Sequence, residues 1–177
     1  MLSAQSNARV ALIVLLGIGV ALAGCAGGAG ATSSAQAELQ RQADLYAIDQ
    51  IEVNWHKAAS TKDLNLMMSL WADNATFTLG GQTYTGKGQI RTFFETKAAP
   101  FKSENTWVSD TPAYKIQTTV NGDKGTLAFE CDYIDAATQT VKSVVGANQD
   151  VERINGKWVI TRSTGTSPIL GSPILGS

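Results

Sequence analysis

Residues 114–134, YKIQTTVNGDKGTLAFECDYI, decide the fold class of this chain. Apolar and polar side chains alternate up to residue 120 and alternate again from residue 125 onward. This two-residue period is typical of half-buried β-strands. The turn sequence Asn121-Gly122-Asp123 lies between the two runs, so the segment predicts an antiparallel β-hairpin.

The hairpin belongs to a longer antiparallel meander. A further strand is predicted over residues 141–154, and the turn Asn155-Gly156 leads to a last strand over 157–163. Upstream, a period of three to four predicts a helix from Glu38 onward. Its apolar stripe consists of Leu45, Ile48, Ile51, Trp55, Ala58 and Ala59.

Shorter elements fill the space between the long helix and the meander. Helices are predicted over residues 64–71, with Asp63 as the N-cap, and over 88–97, and short strands over 74–79 and 82–84. Three helices followed by a meander predict an α+β domain, with the helices packed on a curved antiparallel sheet.

The amino-terminal residues 1–24 have the layout of a secretory signal peptide, with Arg9, an apolar run and small residues before Cys25. The run covers only residues 10–23, whereas a membrane-spanning helix needs about 20 residues. Leu22-Ala23-Gly24-Cys25 resembles the lipobox of bacterial lipoproteins. That resemblance implies a diacylglycerol joined to the Cys25 thiol, with palmitate among the acyl chains, and anchoring to the cell membrane or outer membrane, facing outside the cytoplasm. An ordinary signal peptide with an incidental cysteine is the alternative.

The rest of the chain fits one domain with two flanking segments. Residues 25–37 are small and glycine-rich and predict a flexible tether, and residues 166–177 predict a mobile tail containing SPILG twice. In an alternative interpretation, Ile169 and Leu170 of the tail fill a groove. The net charge of −1 predicts no nucleic-acid partner. Cys131 is predicted to be a buried, unreactive thiol.

Several segments together resemble the SnoaL-like branch of the NTF2-like superfamily. They are residues 62–64 (KDL), 70–76 (LWADNAT), 84–86 (YTG), 90–94 (IRTFF) and 150–158 (DVERINGKW). The resemblance implies a cone-shaped α+β barrel over residues 38–165, whose sheet wraps round the long first helix and leaves a pocket at its open end. It also implies a homodimer formed through the sheet.

The resemblance further indicates where the catalytic residues of related ketosteroid isomerases would stand. Their tyrosine position falls on Trp55 and their base position on Leu79, and only a late-strand acid finds a match, at Asp150. Acid–base chemistry needs a titratable group within hydrogen-bond reach. Trp55 and Leu79 offer none, so isomerase chemistry of that kind is not expected.

His56 is the one histidine of the chain and has two interpretations. Asp49, Glu52 and His56 share one side of the first helix, turned away from Trp55, and Glu52 and His56 are neighbours at i and i+4. In the first interpretation, His56 acts with Asp150 as a general base. In the second, which the sequence favours, the residues form a solvated helix face with an ordinary ion pair.

Cofactor motifs are lacking. Residues 81–88 (GQTYTGKG) almost spell a phosphate-binding loop, but Gly88 replaces the required serine or threonine, and no metal-ligand spacing occurs. We therefore predict no cofactor and no metal.

The leading functional hypothesis is a module that binds a small, largely apolar ligand without catalysis. The predicted binding residues are Trp55, Phe77, Leu79 and Asp150, with Phe129 and Trp158 as further lining or core residues. The alternatives are an isomerase, dehydratase or cyclase that uses His56 with Asp150, and a dimeric interaction module of the cell envelope.

Overall fold

The computed structural model describes residues 28–166, 168–172 and 174 of the 177-residue chain. The predicted signal peptide and the lipidation site Cys25 lie outside these residues. Within them, no helix combines the length and the apolar character needed to cross a membrane.

Three helices pack on one sheet: α1 (Gly28–Thr61), α2 (Leu64–Ser69) and α3 (Gly86–Thr96). The predicted stripe of α1 is in the core, with Ile48, Ile51 and Trp55 at most 5% exposed. Lys62, which has a φ of 58°, turns the chain after α1. Asp63 caps α2 as predicted, because its Oδ1 accepts a hydrogen bond from the backbone N–H of Leu66 at 2.8 Å.

Helix α1 begins at Gly28 rather than at Glu38, so residues 28–37 are helical and not the flexible tether that the composition predicted. Residues 33–43 are exposed, and this part of the helix therefore has no apolar face that the periodicity could reveal. A helix already nucleated by packing extends at little cost, and alanine, the best helix former, occurs at positions 29, 31, 35 and 37.

The sheet has eight strands in the described residues. In chain order they are β1 (Trp71–Leu79), β2 (Gln82–Thr85), β3 (Trp107–Asp110), β4 (Gln117–Asn121), β5 (Lys124–Asp135), β6 (Thr140–Ile154), β7 (Lys157–Gly165) and β8 (Leu170–Gly171). Their spatial order is β2-β1-β7-β6-β5-β3, and β4 also pairs with β5 and β8 with β6.

The predicted meander is confirmed, because β4, β5, β6 and β7 pair in antiparallel succession. The predicted all-antiparallel sheet is wrong, since β1 runs parallel to β7. The sheet is mixed, and it is curved but not closed into a barrel: β2 forms one edge, and β3 and β4 both pair with β5 at the other. Hairpin sequences specify only neighbouring strands, and no turn sequence specifies the direction of β1 relative to β7.

Trp71 begins β1 instead of ending α2. The N–H of Ile160 on β7 donates to the Leu70 carbonyl at 2.8 Å, which extends the sheet to this point. The Trp71 side chain is 1% exposed and lies in an aromatic cluster around Trp55. This cluster also contains Phe94 and Phe129, whose ring centroids are 5.6 and 5.9 Å from that of Trp55.

The described part of the tail is docked, so the prediction of a mobile tail is wrong for these residues. Strand β8 pairs with residues 143 and 144 of β6, and Ile174 is 8% exposed. Ile169 and Leu170 are 58% and 61% exposed, so they do not fill a groove. A tail without a regular apolar pattern can dock in this way because backbone pairing with β6, which needs no such pattern, holds much of its described part.

Candidate functional site

A small cavity lies between α1, α3 and the inner face of the sheet. Its volume of about 30 Å³ suits one or two water molecules, since one water needs roughly 10–15 Å³ of such space. Among the residues of its wall are Trp55, Phe77, Leu79, Phe94, Tyr133 and Ile174. The structure therefore brings together three of the four residues predicted to bind a ligand.

Strand alternation places these side chains. On β5, Cys131 and Tyr133 point inward and are at most 5% exposed. On β7, Ser163 is 1% exposed and faces the same way. Leu79 packs against the bare backbone of Gly165, where an added Cβ would come within 2.5 Å of the leucine Cδ1. The apolar wall thus depends on a glycine opposite Leu79.

The polar groups of the wall are hydrogen-bond donors. The Ser163 hydroxyl is buried and has no hydrogen-bond partner in the described part of the chain. The buried Trp55 indole N–H lies near the Cys131 thiol and the Tyr133 hydroxyl but makes no hydrogen bond of good geometry with a described residue. Burial raises the pKa of the Cys131 thiol to about 12, which agrees with its predicted unreactive state. Burial also raises the pKa of the Tyr133 hydroxyl well above its ordinary value. All four groups therefore keep their protons at neutral pH.

His56 lies in a buried polar cluster beside the cavity and not in its wall. Its Nδ1 is 2.6 Å from the Ser109 Oγ. Its Nε2 is 2.6 Å from the Thr111 Oγ1 and 3.1 Å from the Glu52 Oε1. Thr111 in turn donates to the backbone carbonyl of Glu130. Both ring nitrogens of His56 are thus occupied by neighbouring side chains.

The interpretation of this helix face as solvated is wrong. Glu52 is 6% exposed and His56 is 7% exposed. Strand β3 and the residue that follows it cover this face, and Ser109 and Thr111 provide the hydrogen bonds that its buried polar groups require. Asp49, one turn earlier on the helix, accepts a hydrogen bond from the Thr118 hydroxyl on β4.

Asp150 lies on the outer face of β6, so the predicted partnership with His56 is wrong, and Asp150 does not line the cavity formed by Trp55, Phe77 and Leu79. Its neighbours Gln149 and Val151 are 3% and 0% exposed and point into the core. Asp150 therefore points outward, where its side chain is 41% exposed and its Oδ2 is 2.6 Å from the Arg162 Nη2. The sequence predicted that Asp150 lies on a late strand but not which face of the sheet its side chain is on, because neighbouring residues of a strand point to opposite faces.

Comparison with known proteins identifies the family. The sequence profile of the SnoaL-like domain matches residues 40–164. This chain belongs to the SnoaL-like family. No functionally curated protein matches the sequence significantly.

Solved structures share the fold of this SnoaL-like domain at low sequence identity. An NTF2-like protein with a cystatin-like fold from Novosphingobium aromaticivorans has a TM-score of 0.63 and 15% identity, over 83% of this chain and 94% of its own. An NTF2-like protein of unknown function from Pseudomonas putida KT2440 has a TM-score of 0.63 and 13% identity, over 77% and 96%. The type 2 hexachlorocyclohexane dehydrochlorinase LinA has a TM-score of 0.60 and 17% identity, over 79% and 95%. Because an enzyme and proteins of unknown function share the fold, the fold does not settle the activity.

Sequence reasoning missed most residues of the cavity wall, among them Tyr133, Ser163 and Ile174. Tyr133 could have been placed there, because it follows Cys131 by two residues on the same strand and so faces the same side. Ser163 and Ile174 gave no signal of this kind. Ser163 ends the predicted last strand, and Ile174 lies in the segment that composition predicted to be mobile.

Proposed function

We propose that this chain is an exported lipoprotein, anchored through Cys25, whose SnoaL-like domain binds a small apolar molecule without transforming it. One observation carries the proposal of binding without catalysis: the wall of the cavity combines aromatic and aliphatic side chains with donor groups that do not titrate near neutral pH. Ligand sites are commonly of this kind, mostly apolar with a few polar groups that fix orientation.

The same wall argues against acid–base catalysis. A general base must lose and regain a proton near the working pH, and burial keeps the Cys131 thiol and the Tyr133 hydroxyl protonated there. His56 uses both ring nitrogens within its own cluster, and Asp150 is on the other face of the sheet. The enzyme alternative thus lacks the two residues on which it relied.

The unpartnered donors indicate the chemistry of the ligand. A buried N–H or O–H without an acceptor is unfavourable by about 1–3 kcal/mol, and the Trp55 N–H and Ser163 O–H are in this state. A ligand that brings a carbonyl or ether oxygen into the cavity would accept a hydrogen bond from these donors and remove this energetic cost. We therefore propose an apolar ring system or chain that carries one hydrogen-bond acceptor.

A matched ligand pair tests this proposal. 9-Fluorenone and fluorene share a flat apolar frame and differ in one carbonyl oxygen. Fluorenone should raise the unfolding temperature of the full chain more than fluorene does. Trp55→Phe should reduce this difference, because a single hydrogen bond contributes about 0.5–1.5 kcal/mol. Equal shifts for both compounds in the unmodified chain would contradict the acceptor requirement, and a chemically altered ligand on recovery would contradict binding without catalysis.

Anchoring rests on the sequence of residues 1–25 and has its own test. Cells that express the full chain are labelled with radioactive palmitate. Cys25→Ser should abolish the label, whereas Cys131→Ser, the matched control at the other cysteine, should retain it. Label that persists in the Cys25→Ser chain would refute lipidation at this residue.

Dimerisation through the sheet stays a prediction. Sedimentation equilibrium of the full chain tests it, and a mass of one chain at all concentrations would contradict it.

A further inference from the structure

The tail follows one edge of β6 beyond the end of β7. The Thr166 N–H donates to the Gly146 carbonyl at 2.9 Å, the Ile169 N–H to the Val144 carbonyl at 2.7 Å, and the Ser172 N–H to the Lys142 carbonyl at 2.7 Å. These bonds lead the backbone along β6 from Gly146 to Lys142. The tail is thus attached to the domain mainly through its main chain.

Ile174 then enters the wall of the cavity. It is 8% exposed, and its carbonyl accepts a hydrogen bond from the Ala99 N–H at 2.7 Å. The same wall includes Phe101, which follows α3, and Val145 on the sheet. Ile174 therefore shares the wall with residues from the helical side and from the sheet.

We propose that the tail is a displaceable internal plug, in which Ile174 occupies the position of the ligand and a ligand binds only in competition with it. This inference rests on the proposed binding function. A pocket for a small organic ligand usually measures about 300–1,000 Å³, and about 30 Å³ is open while Ile174 is in place. Binding therefore requires the isoleucine side chain to leave.

The attachment of the tail is suited to local release. Strand β8 consists of only two residues, and the side chains of Ile169 and Leu170 are exposed and add little packing. A segment with few buried contacts opens at a lower free energy than the whole domain unfolds. The main chain of the tail can therefore leave β6 while the core remains folded.

Gly171 is the sensitive point of this attachment. Its φ is +89°, and an added Cβ would lie 2.0 Å from the carbonyl oxygen of Lys142. No other residue type fits there while the tail is paired with β6. Gly171→Ala should therefore release the tail without changing a residue of the cavity wall.

The duplicated SPILG sequence provides a matched control. Ile169 and Ile174 occupy the same position in the two units, but Ile169 is 58% exposed whereas Ile174 is 8% exposed. Ile174→Asp should expel the side chain from the cavity, because an isolated charge is not accommodated in an apolar wall. Ile169→Asp introduces the same charge at an exposed position.

The experiment measures binding of the neutral fluorescent probe N-phenyl-1-naphthylamine to the full chain and to the three variants. The apparent dissociation constant equals the intrinsic constant divided by the fraction of molecules whose tail is undocked. If that fraction is roughly a tenth, the docked tail weakens binding about tenfold. We expect Ile174→Asp and Gly171→Ala to bind the probe at least about tenfold more tightly than the unmodified chain. Ile169→Asp should bind like the unmodified chain.

Each outcome decides a specific statement. Equal affinity of the unmodified chain and Gly171→Ala would overturn the plug and leave the binding function intact. Absence of binding in every chain, for this probe and for fluorenone, would overturn the binding function and the plug with it. If Ile174→Asp does not fold, as judged by near-ultraviolet circular dichroism, the Gly171→Ala result alone decides.

Discussion

Replacing His56 by leucine should destabilise the domain strongly although it leaves the cavity wall unchanged. The ring is 7% exposed, and its nitrogens lie 2.6 Å from the Ser109 and Thr111 hydroxyl oxygens and 3.1 Å from a Glu52 oxygen. Leucine replaces none of these interactions. A buried hydrogen-bonding group that loses its partner costs about 1–3 kcal/mol, and here both the Ser109 hydroxyl and the Glu52 carboxyl group lose one. We expect a loss of about 3–4 kcal/mol in the free energy of unfolding, because Thr111 keeps its bond to the Glu130 carbonyl.

Urea unfolding of the full chain, followed by circular dichroism, measures this loss. With a slope of about 2 kcal/mol per molar urea, the midpoint should fall by roughly 1.5–2 M. Arg41→Leu is the matched control, because Arg41 pairs with Glu38 on the same helix at 3.3 Å, with side chains 53% and 58% exposed. It should leave the midpoint unchanged. If His56→Leu shifts the midpoint no more than Arg41→Leu does, the cluster is not structural and the reasoning is refuted.

Three further predictions concern other groups. Burial alone would raise the pKa of Asp44, but hydrogen bonds from Trp158 and Arg153 lower it overall. The stability that this carboxylate provides is present above its ordinary pKa of 3.8 and is lost as the pH falls through the lower pKa of the folded state. Asp44→Asn should therefore make the free energy of unfolding depend less on pH in the acid range. Cys131 has a pKa of about 12, so in a Cys25→Ser chain it should react with Ellman's reagent at pH 8 only after unfolding. Fast reaction of the folded chain would contradict the burial of Cys131. Asp150→Asn should leave both stability and probe binding unchanged, and loss of probe binding would return Asp150 to the site.

The sequence specified those parts of the fold that depend on neighbours in the chain. The dipeptides Asn121-Gly122 and Asn155-Gly156 predicted the turns of the meander, and the stripe led by Trp55 predicted the buried side of α1. The parallel pairing of β1 with β7 joins residues far apart in the chain. It depends on how the complete sheet curves, which no local pattern encodes.

The candidate site likewise has residues that the sequence predicted and residues that only the folded chain reveals. Periodicity identified the inward side chains Trp55, Phe77 and Leu79, because a buried stripe and an alternating strand are local features. The burial of Glu52 and of Ile174 depends on parts of the chain that are distant in sequence: β3 covers the helix face of Glu52, and the Ala99 N–H donates to the Ile174 carbonyl. A polar residue such as Glu52 carries no hydrophobic signal, and the repeated SPILG sequence does not show that Ile174 is buried while Ile169 is exposed.

The burial of Glu52 and His56 beside the Trp55 stripe of α1 supports the proposal that this site binds a ligand without transforming it. A helix enclosed by its sheet must satisfy every polar group on its covered side, and Glu52 and His56 do so with each other and with the Ser109 and Thr111 hydroxyls. The groups that could move a proton are therefore used to hold the helix in the sheet. The cavity retains donors that burial keeps protonated, such as the Tyr133 hydroxyl. Such donors orient an acceptor on a ligand but cannot take a proton from it.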